Sequence, residues 1–324
     1  MNDRLKLTLP KGSLEESTIA IFRSAFYELI GHERTYRPII NDEEIEVKIL
    51  RPQEIPIYVS RGVFDVGITG LDWIVETNAN VKQLLDLEYG RVKIVSGIPK
   101  SVDRSPDLYL DEFWKDGGVV RISTEYPNIA SKYIMSLNSY KRRFDAVPPT
   151  VVTPWWVKEG NDKAVIYLSF GATEAKPPEE AELIVEVTET GITLEQNNLK
   201  VGDNILKSSA RLIANKASLS IAWKREKILN LMAMLKGVVE SRKRVHIFLN
   251  VRKENLDRLL NELPALKAPT VSSLSKTGWV AINTVIMKKD LAQLMPKLRR
   301  LAQGLVVHDA RQILSLEEVE DGVR

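Results

Sequence analysis

A chain of 324 residues with no cysteine, three histidines and a formal net charge of +3 has room for two or three domains and excludes disulfides, thiol nucleophiles and cysteine-ligated metals. Hydrophobic residues make up 44% and charged residues 27%, and 46 basic against 43 acidic side chains point to no nucleic-acid and no membrane partner. His32, His246 and His308 stand in unlike contexts, against a histidine-rich metal site or a Ser-His-Asp triad. No apolar run approaches the ~18–20 residues that span a bilayer, and the N-terminus lacks an apolar signal core, so the expected location is the cytoplasm.

Residues 4–9 alternate as a strand, Pro10-Lys11-Gly12 reads as a turn, and Ser13 with Glu16 makes a capping-box pattern. Leu14, Ile19, Phe22, Phe26 and Leu29 then follow at helical spacing, which places Lys11 at a helix N-terminus, a natural anion site. Strands are expected at 45–50, 64–69, 92–98, 119–123 and 163–168, with short helices at 54–61 and from Asp72. Ser105-Pro106-Asp107 reads as a loop. Thr124 and Tyr126 open a helix carrying Ala130, Tyr133, Ile134 and Leu137. Alternating strands and helices argue α/β layers with a largely parallel sheet. The Pro/Trp-rich stretch 146–163 is less regular, and 205–214 reads as one strand region. Beyond an amphipathic helix at 223–240, strand, helix, two strands, helix and strand follow in about 80 residues, the order of a ferredoxin-like module. Residues 317–324 read as a frayed tail.

The most informative segment is Glu182 to Leu194: an apolar run, the carboxylates Glu186 and Glu189, then Thr190-Gly191-Ile192-Thr193-Leu194. Gly191 permits positive φ in a tight turn, and successive N–H groups with two hydroxyls suit a phosphate monoester. Carboxylates just before it suit sugar hydroxyls or positive charge on a sugar ring, as a site for phosphoribosyl pyrophosphate requires. The alternative is a buried strand, a glycine turn and a solvated glutamate pair.

Six motifs in order resemble the ATP phosphoribosyltransferase family, in its long form: Leu9-Pro10-Lys11-Gly12, Arg51-Pro52-Gln53-Glu54-Ile55-Pro56, Asp65 to Trp73, Thr124 to Asn128, Gly171-Ala172-Thr173-Glu174, and Glu189 to Leu194. The resemblance implies transfer of the phosphoribosyl group from phosphoribosyl pyrophosphate to N1 of ATP, with Mg²⁺ and release of pyrophosphate, as the first step of histidine biosynthesis. It implies two periplasmic-binding-protein-like lobes, 1–92 with 216–240 and 93–215, and a ferredoxin-like regulatory domain at 241–324. It also implies inhibition by histidine and a homo-oligomer, dimer to hexamer.

Glu186, Glu189 and Lys11 are the catalytic candidates on this reading. Thr190, Gly191, Ile192, Thr193 and Leu194, with Glu174, would hold phosphoribosyl pyrophosphate, Glu174 also serving the metal. Lys11, Gly12, Ser13, Arg51, Gly70, Asp72, Thr124 and Tyr126 would contact ATP. Asn250, Leu266 and Thr270 would contact histidine. Simpler roles stand beside these: Lys11 as a solvated turn residue, Arg51 paired with Glu54 or Asp72, Asp72 as a helix N-cap, Glu174 as a loop cap. Ser13 stands where many members carry Arg, and Glu186 where many carry Asp. A non-catalytic bilobed sensor of nucleotide or amino acid is the alternative function, since one fold serves both.

Overall fold

The computed structural model describes residues 3–264 and 269–314. It divides into two compact units. One comprises residues 6–17 and 48–218; the other comprises 18–47 and 219 onward, with the chain start through Leu5.

Two sheets build the unit of residues 48–218. The first runs Ile45–Leu50, Leu5–Pro10, Val66–Gly70, Ala210–Ala214, Lys82–Asp86 in spatial order. Leu5–Pro10 and Val66–Gly70 are parallel, and Ala210–Ala214 runs against Val66–Gly70 and Lys82–Asp86. The second sheet has seven strands: Val157–Lys158, Pro149–Val152, Asn161–Leu168, Val120–Thr124, Leu183–Thr188, Val92–Pro99, Leu199–Ser208. Its central strands are parallel, and Ile122, Ala164, Ile166, Leu183 and Val185 on them are fully buried. The chain passes from the first sheet to the second before Val92 and returns between Ser208 and Ala210. The expected return at 216 is therefore too late. The strand expected over 205–214 is two strands in different sheets.

Three further expectations change. The helix from residue 15 ends at Ser24, because Phe26 takes a left-handed φ of 63°, so Phe26 and Leu29 lie beyond it. Pro106–Lys115 is a helix, not a loop: Ser105 caps it by accepting the Leu108 N–H, with Pro106 in the first turn. The stretch 146–163 forms Pro149–Val152 antiparallel to Val157–Lys158, bent at Thr153, whose hydroxyl accepts the N–H groups of Trp155 and Trp156.

In the second unit, Lys227 on the helix Ala222–Lys243 pairs with Asp42 at 2.8 Å and Glu44 at 2.6 Å, so residues 18–47 group with this helix rather than with the rest of the expected first lobe. Four antiparallel strands follow in the order Thr270–Ser273, Trp279–Met287, Arg244–Arg252, Ala302–His308. Val245, Ile247, Leu249 and Val251 are buried with Leu259, Leu294 and Leu298 of the two helices, which completes the ferredoxin-like module. No helix among the described residues is long and apolar enough to cross a membrane.

Candidate active site

The parallel strands of both sheets aim their C-terminal ends at one cleft, the usual ligand position in α/β sheets. Ser13, Pro52, Gly70, Asp72 and Trp73 from the first lobe and Tyr126, Val187, Thr188 and Glu189 from the second line it.

On the first lobe Lys11 follows the strand Leu5–Pro10, and its N–H donates to the Leu50 carbonyl at 2.7 Å. Its ammonium pairs with Glu15 at 2.7 Å. Glu15 also reaches back to the Gly12 N–H at 3.4 Å, so it takes the part expected of Glu16. Gly12 has φ +92°, a conformation suited to glycine, and faces the Arg51 guanidinium. Arg51 is exposed and pairs with neither Glu54 nor Asp72; among the described residues it makes no ion pair.

Asp72 is not the N-cap of its helix. Gly70 holds that position, and a Cβ there would meet the Asp72 carboxylate at 2.1 Å. That carboxylate is 5% exposed and accepts from the Ser208 hydroxyl at 2.5 Å and the Tyr126 hydroxyl at 3.2 Å. Burial, with Asp72 and Glu186 nearby, drives the Tyr126 phenol far above its ordinary pKa, so it stays a neutral donor. Trp73 stacks on Tyr126 at 4.5 Å. Sequence reading missed Trp73, Thr188 and Ser208. Trp73 and Thr188 lie inside or beside motifs already singled out, but nothing local marks Ser208, which lies 136 residues from its partner.

Thr124 must be removed from the ATP-contacting set. It is fully buried, and its hydroxyl donates to the Val185 carbonyl at 2.6 Å while accepting the Tyr126 N–H at 2.8 Å. The N-terminus of the helix Pro127–Ser136 is likewise no open anion site: the Glu76 carboxylate accepts the Asn128 N–H at 3.0 Å and the Ile129 N–H at 2.9 Å.

The turn after Leu183–Thr188 is different. The Thr188 hydroxyl accepts the Gly191 N–H at 2.9 Å, Gly191 takes φ +86°, and the short helix Ile192–Gln196 starts there. The Thr190 hydroxyl lies 3.5 Å from the Ile192 N–H, at the outer limit of a hydrogen bond. No acceptor meets the N–H groups of Thr193 and Leu194 among the described residues. Leu194 packs with Val95, Ile184 and Leu199 and anchors the turn from below, so only its N–H can face a ligand. Thr190, Ile192, Thr193 and Glu189 are exposed.

Glu186 sits on the strand before the turn, its carboxylate accepting the Val187 N–H at 2.9 Å. Burial pushes this carboxyl up, Thr173 and the Val187 N–H pull it down, and Glu125 and Glu174 push it up again. Glu125 is raised too, by burial and then by Glu174. Glu174 lies on the turn Thr173–Ala175, which follows the left-handed Ala172. Glu125 and Glu174 thus add a negative field at Glu186, a setting suited to a positive centre or to hydroxyl donors.

In the C-terminal module Asn250 and Thr270 are exposed and share the sheet face away from the core: Asn250 stands opposite Ala281, and Thr270 opposite Asn283. Leu266 lies outside the described residues.

A family model described as ATP phosphoribosyltransferase matches residues 51–237, and one for the HisG C-terminal domain matches 241–312. The ATP phosphoribosyltransferase of Chlorobaculum parvum is 39% identical over 97% of this chain and 98% of its own. That of Pelotomaculum thermopropionicum is 39% identical over 92% and 94%. A chain of the ATP phosphoribosyl transferase (HisG:HisZ) complex from Thermotoga maritima superposes with a TM-score of 0.56 at 26% identity, over 73% of this chain and 98% of that one. These matches favour the enzyme over the sensor: the phosphoribosyl group of phosphoribosyl pyrophosphate goes to N1 of ATP, opening histidine biosynthesis. With one model across more than half its length and relatives matched almost end to end, the chain belongs to the ATP phosphoribosyltransferase family, in the form that carries the C-terminal domain.

Proposed function

We propose how this cleft divides the family's reaction among its residues. The turn from Thr188 to Leu194 takes the 5-phosphate, and Glu186 and Glu189 face the ribose. Lys11, Gly12, Ser13 and Arg51 take the ATP and pyrophosphate anions, while Gly70, Asp72 and Tyr126 shape the wall between. The observation that carries the assignment is the pair of N–H groups at Thr193 and Leu194, left without acceptors among the described residues, on the turn that follows the half-buried Glu186. Arg51 supports the ATP side, because an uncommitted guanidinium is available for bidentate phosphate contact.

The adenine N1 lone pair attacks C1′ as the C1′–O bond to pyrophosphate breaks, and the bonding pair leaves with pyrophosphate. No proton need be removed from the nucleophile, so the absence of a histidine in the cleft is no obstacle. Positive charge develops at C1′, where the Glu186 and Glu189 carboxylates stabilise it. Holding both substrates in near-attack geometry supplies on the order of 7–11 kcal/mol of the barrier. Among the described residues no group of three His, Asp or Glu is arranged to hold a metal ion. A single carboxylate, Glu174, with substrate phosphate oxygens is nevertheless the ordinary arrangement for Mg²⁺. Glu174 would hold Mg²⁺ there, and the ion would supply positive charge to offset the pyrophosphate leaving group.

Histidine binds the open sheet face bearing Asn250 and Thr270 and slows turnover. The chain works in the cytoplasm as a homo-oligomer, dimer to hexamer. Pyrophosphate release is the test: it should require ATP, phosphoribosyl pyrophosphate and Mg²⁺ together, and fall on adding histidine. Release that continues without ATP would sink the assigned chemistry.

A further inference from the structure

The two lobes are fastened by a joint that runs from the cleft wall at Asp72, Trp73 and Tyr126 back to Glu76, which is not among the residues lining the cleft. The helix Leu71–Thr77 continues directly from a strand of the first sheet, and the helix Pro127–Ser136 follows a strand of the second. Glu76, near the end of the first helix, is 6% exposed and caps the start of the other, accepting the Asn128 and Ile129 N–H groups. Asn128 returns a bond from its amide to the Glu76 carbonyl at 2.9 Å. One turn earlier, Asp72 receives the Tyr126 hydroxyl, and Trp73 stacks on the same ring. Pro127 has no N–H, so Glu76 satisfies the donors of the opposing helix's first turn at Asn128 and Ile129. Moving the lobes apart here strips those donors of their acceptor and leaves a buried carboxylate without those partners, with the Lys132 charge still drawing on it.

On the functional reading above, on which this inference rests, the phosphoribosyl turn and its carboxylates belong to the second lobe, and Lys11 to Ser13 and Arg51 to the first. The reacting atoms must come within ~3–3.5 Å, and an error of ~1 Å can cost about a hundredfold in rate. We propose that Glu76 is a positioning residue for phosphoribosyl transfer: it touches no substrate and fixes the separation at which the two lobes present ATP and phosphoribosyl pyrophosphate to each other.

The chain has no cysteine, so two introduced cysteines are unique labelling sites. Arg61→Cys on the first lobe and Lys158→Cys on the second are exposed and outside the cleft. Paired spin labels there report lobe separation without any substrate. Glu76→Ala should lengthen and broaden the distance distribution and lower kcat at least about tenfold. Phosphoribosyl pyrophosphate affinity, measured by calorimetry, should stay within about twofold, since its turn lies on one lobe. Glu76→Gln, which keeps one acceptor for two donors, should fall between wild type and alanine in both distance and kcat, and it serves alone if the alanine variant does not fold. An unchanged distance distribution overturns the proposal, whether or not the melting temperature drops; so does unchanged kcat, or kcat and affinity falling together. Wild-type protein that releases no pyrophosphate would remove the functional reading but leave the distance measurement standing.

Discussion

Two strand-to-helix corners face the same cleft and differ in what fills them. At Thr188 to Leu194 the turn leaves the Thr193 and Leu194 N–H groups without an acceptor. At Thr124 to Ile129 the Thr124 hydroxyl takes one N–H and Glu76 takes two more. Both look alike in sequence: hydroxyl residues, a Gly or Pro, then a helix. A helix start is open to an anion only where the rest of the chain supplies none, and here the filler lies 52 residues upstream of Asn128.

The largest effect that would sharpen this contrast is at Glu186. Glu186→Ala should cut kcat by about 100- to 1000-fold in steady-state pyrophosphate release, the scale of losing a transition-state electrostatic partner. A loss under about fivefold would separate the open corner from the reacting carbon. Next is the turn: Thr190→Ala with Thr193→Ala should weaken phosphoribosyl pyrophosphate binding about tenfold in calorimetry, with an unchanged melting temperature. Thr124→Val is its mirror image at the filled corner, expected to lose about 1–2 kcal/mol of stability in urea titration while binding stays the same. If the two variants behaved alike, the contrast would fail.

A smaller effect concerns pH. Burial raises the Glu186 carboxyl, and the ionised form is the one that stabilises C1′. The rate should therefore fall on acidification at a pH above the ordinary glutamate value of about 4.3, and that limb should be missing from the residual rate of Glu186→Gln. Asp111 supplies the opposite sign. Lys115 hydrogen-bonds it, and Arg143 adds a bond and its charge; together they outweigh burial and hold its carboxyl at about 2, below the usual 3.8. The folded state binds fewer protons there, so the stability it contributes is present above pH ~4 and lost as pH falls toward 2. Asp111→Asn should cost about 2 kcal/mol in denaturant at pH 6, and the difference should shrink below about pH 3.

Most strands were legible because apolar residues recur at every second position between turn residues, as Val66 and Ile68 do in Val66–Gly70 and Val120 and Ile122 do in Val120–Thr124. The C-terminal module was legible because Val245, Ile247, Leu249 and Val251 alternate cleanly. The helix Pro106–Lys115 was missed because Ser and Pro mark both loops and helix starts. The change of sheet at Ser208–Ala210 was missed because no Gly or Pro marks it; strand pairing decides it, and pairing is not local. Near the turn, the positive φ of Gly191 was readable from its motif, whereas the bonding of Thr124 and Asp72 depends on Val185, Tyr126 and Ser208, brought together only by the fold.

The strand Ala210–Ala214 lies between Val66–Gly70 and Lys82–Asp86, and among the described residues no other strand bridges those two. As the polypeptide leaves the ribosome, the seven-stranded sheet has all its members once Ser208 emerges, while Lys82–Asp86 still waits for a neighbour. The part of the molecule translated first is the part that finishes folding later, and nascent chains stalled before residue 210 should leave that edge open to proteases.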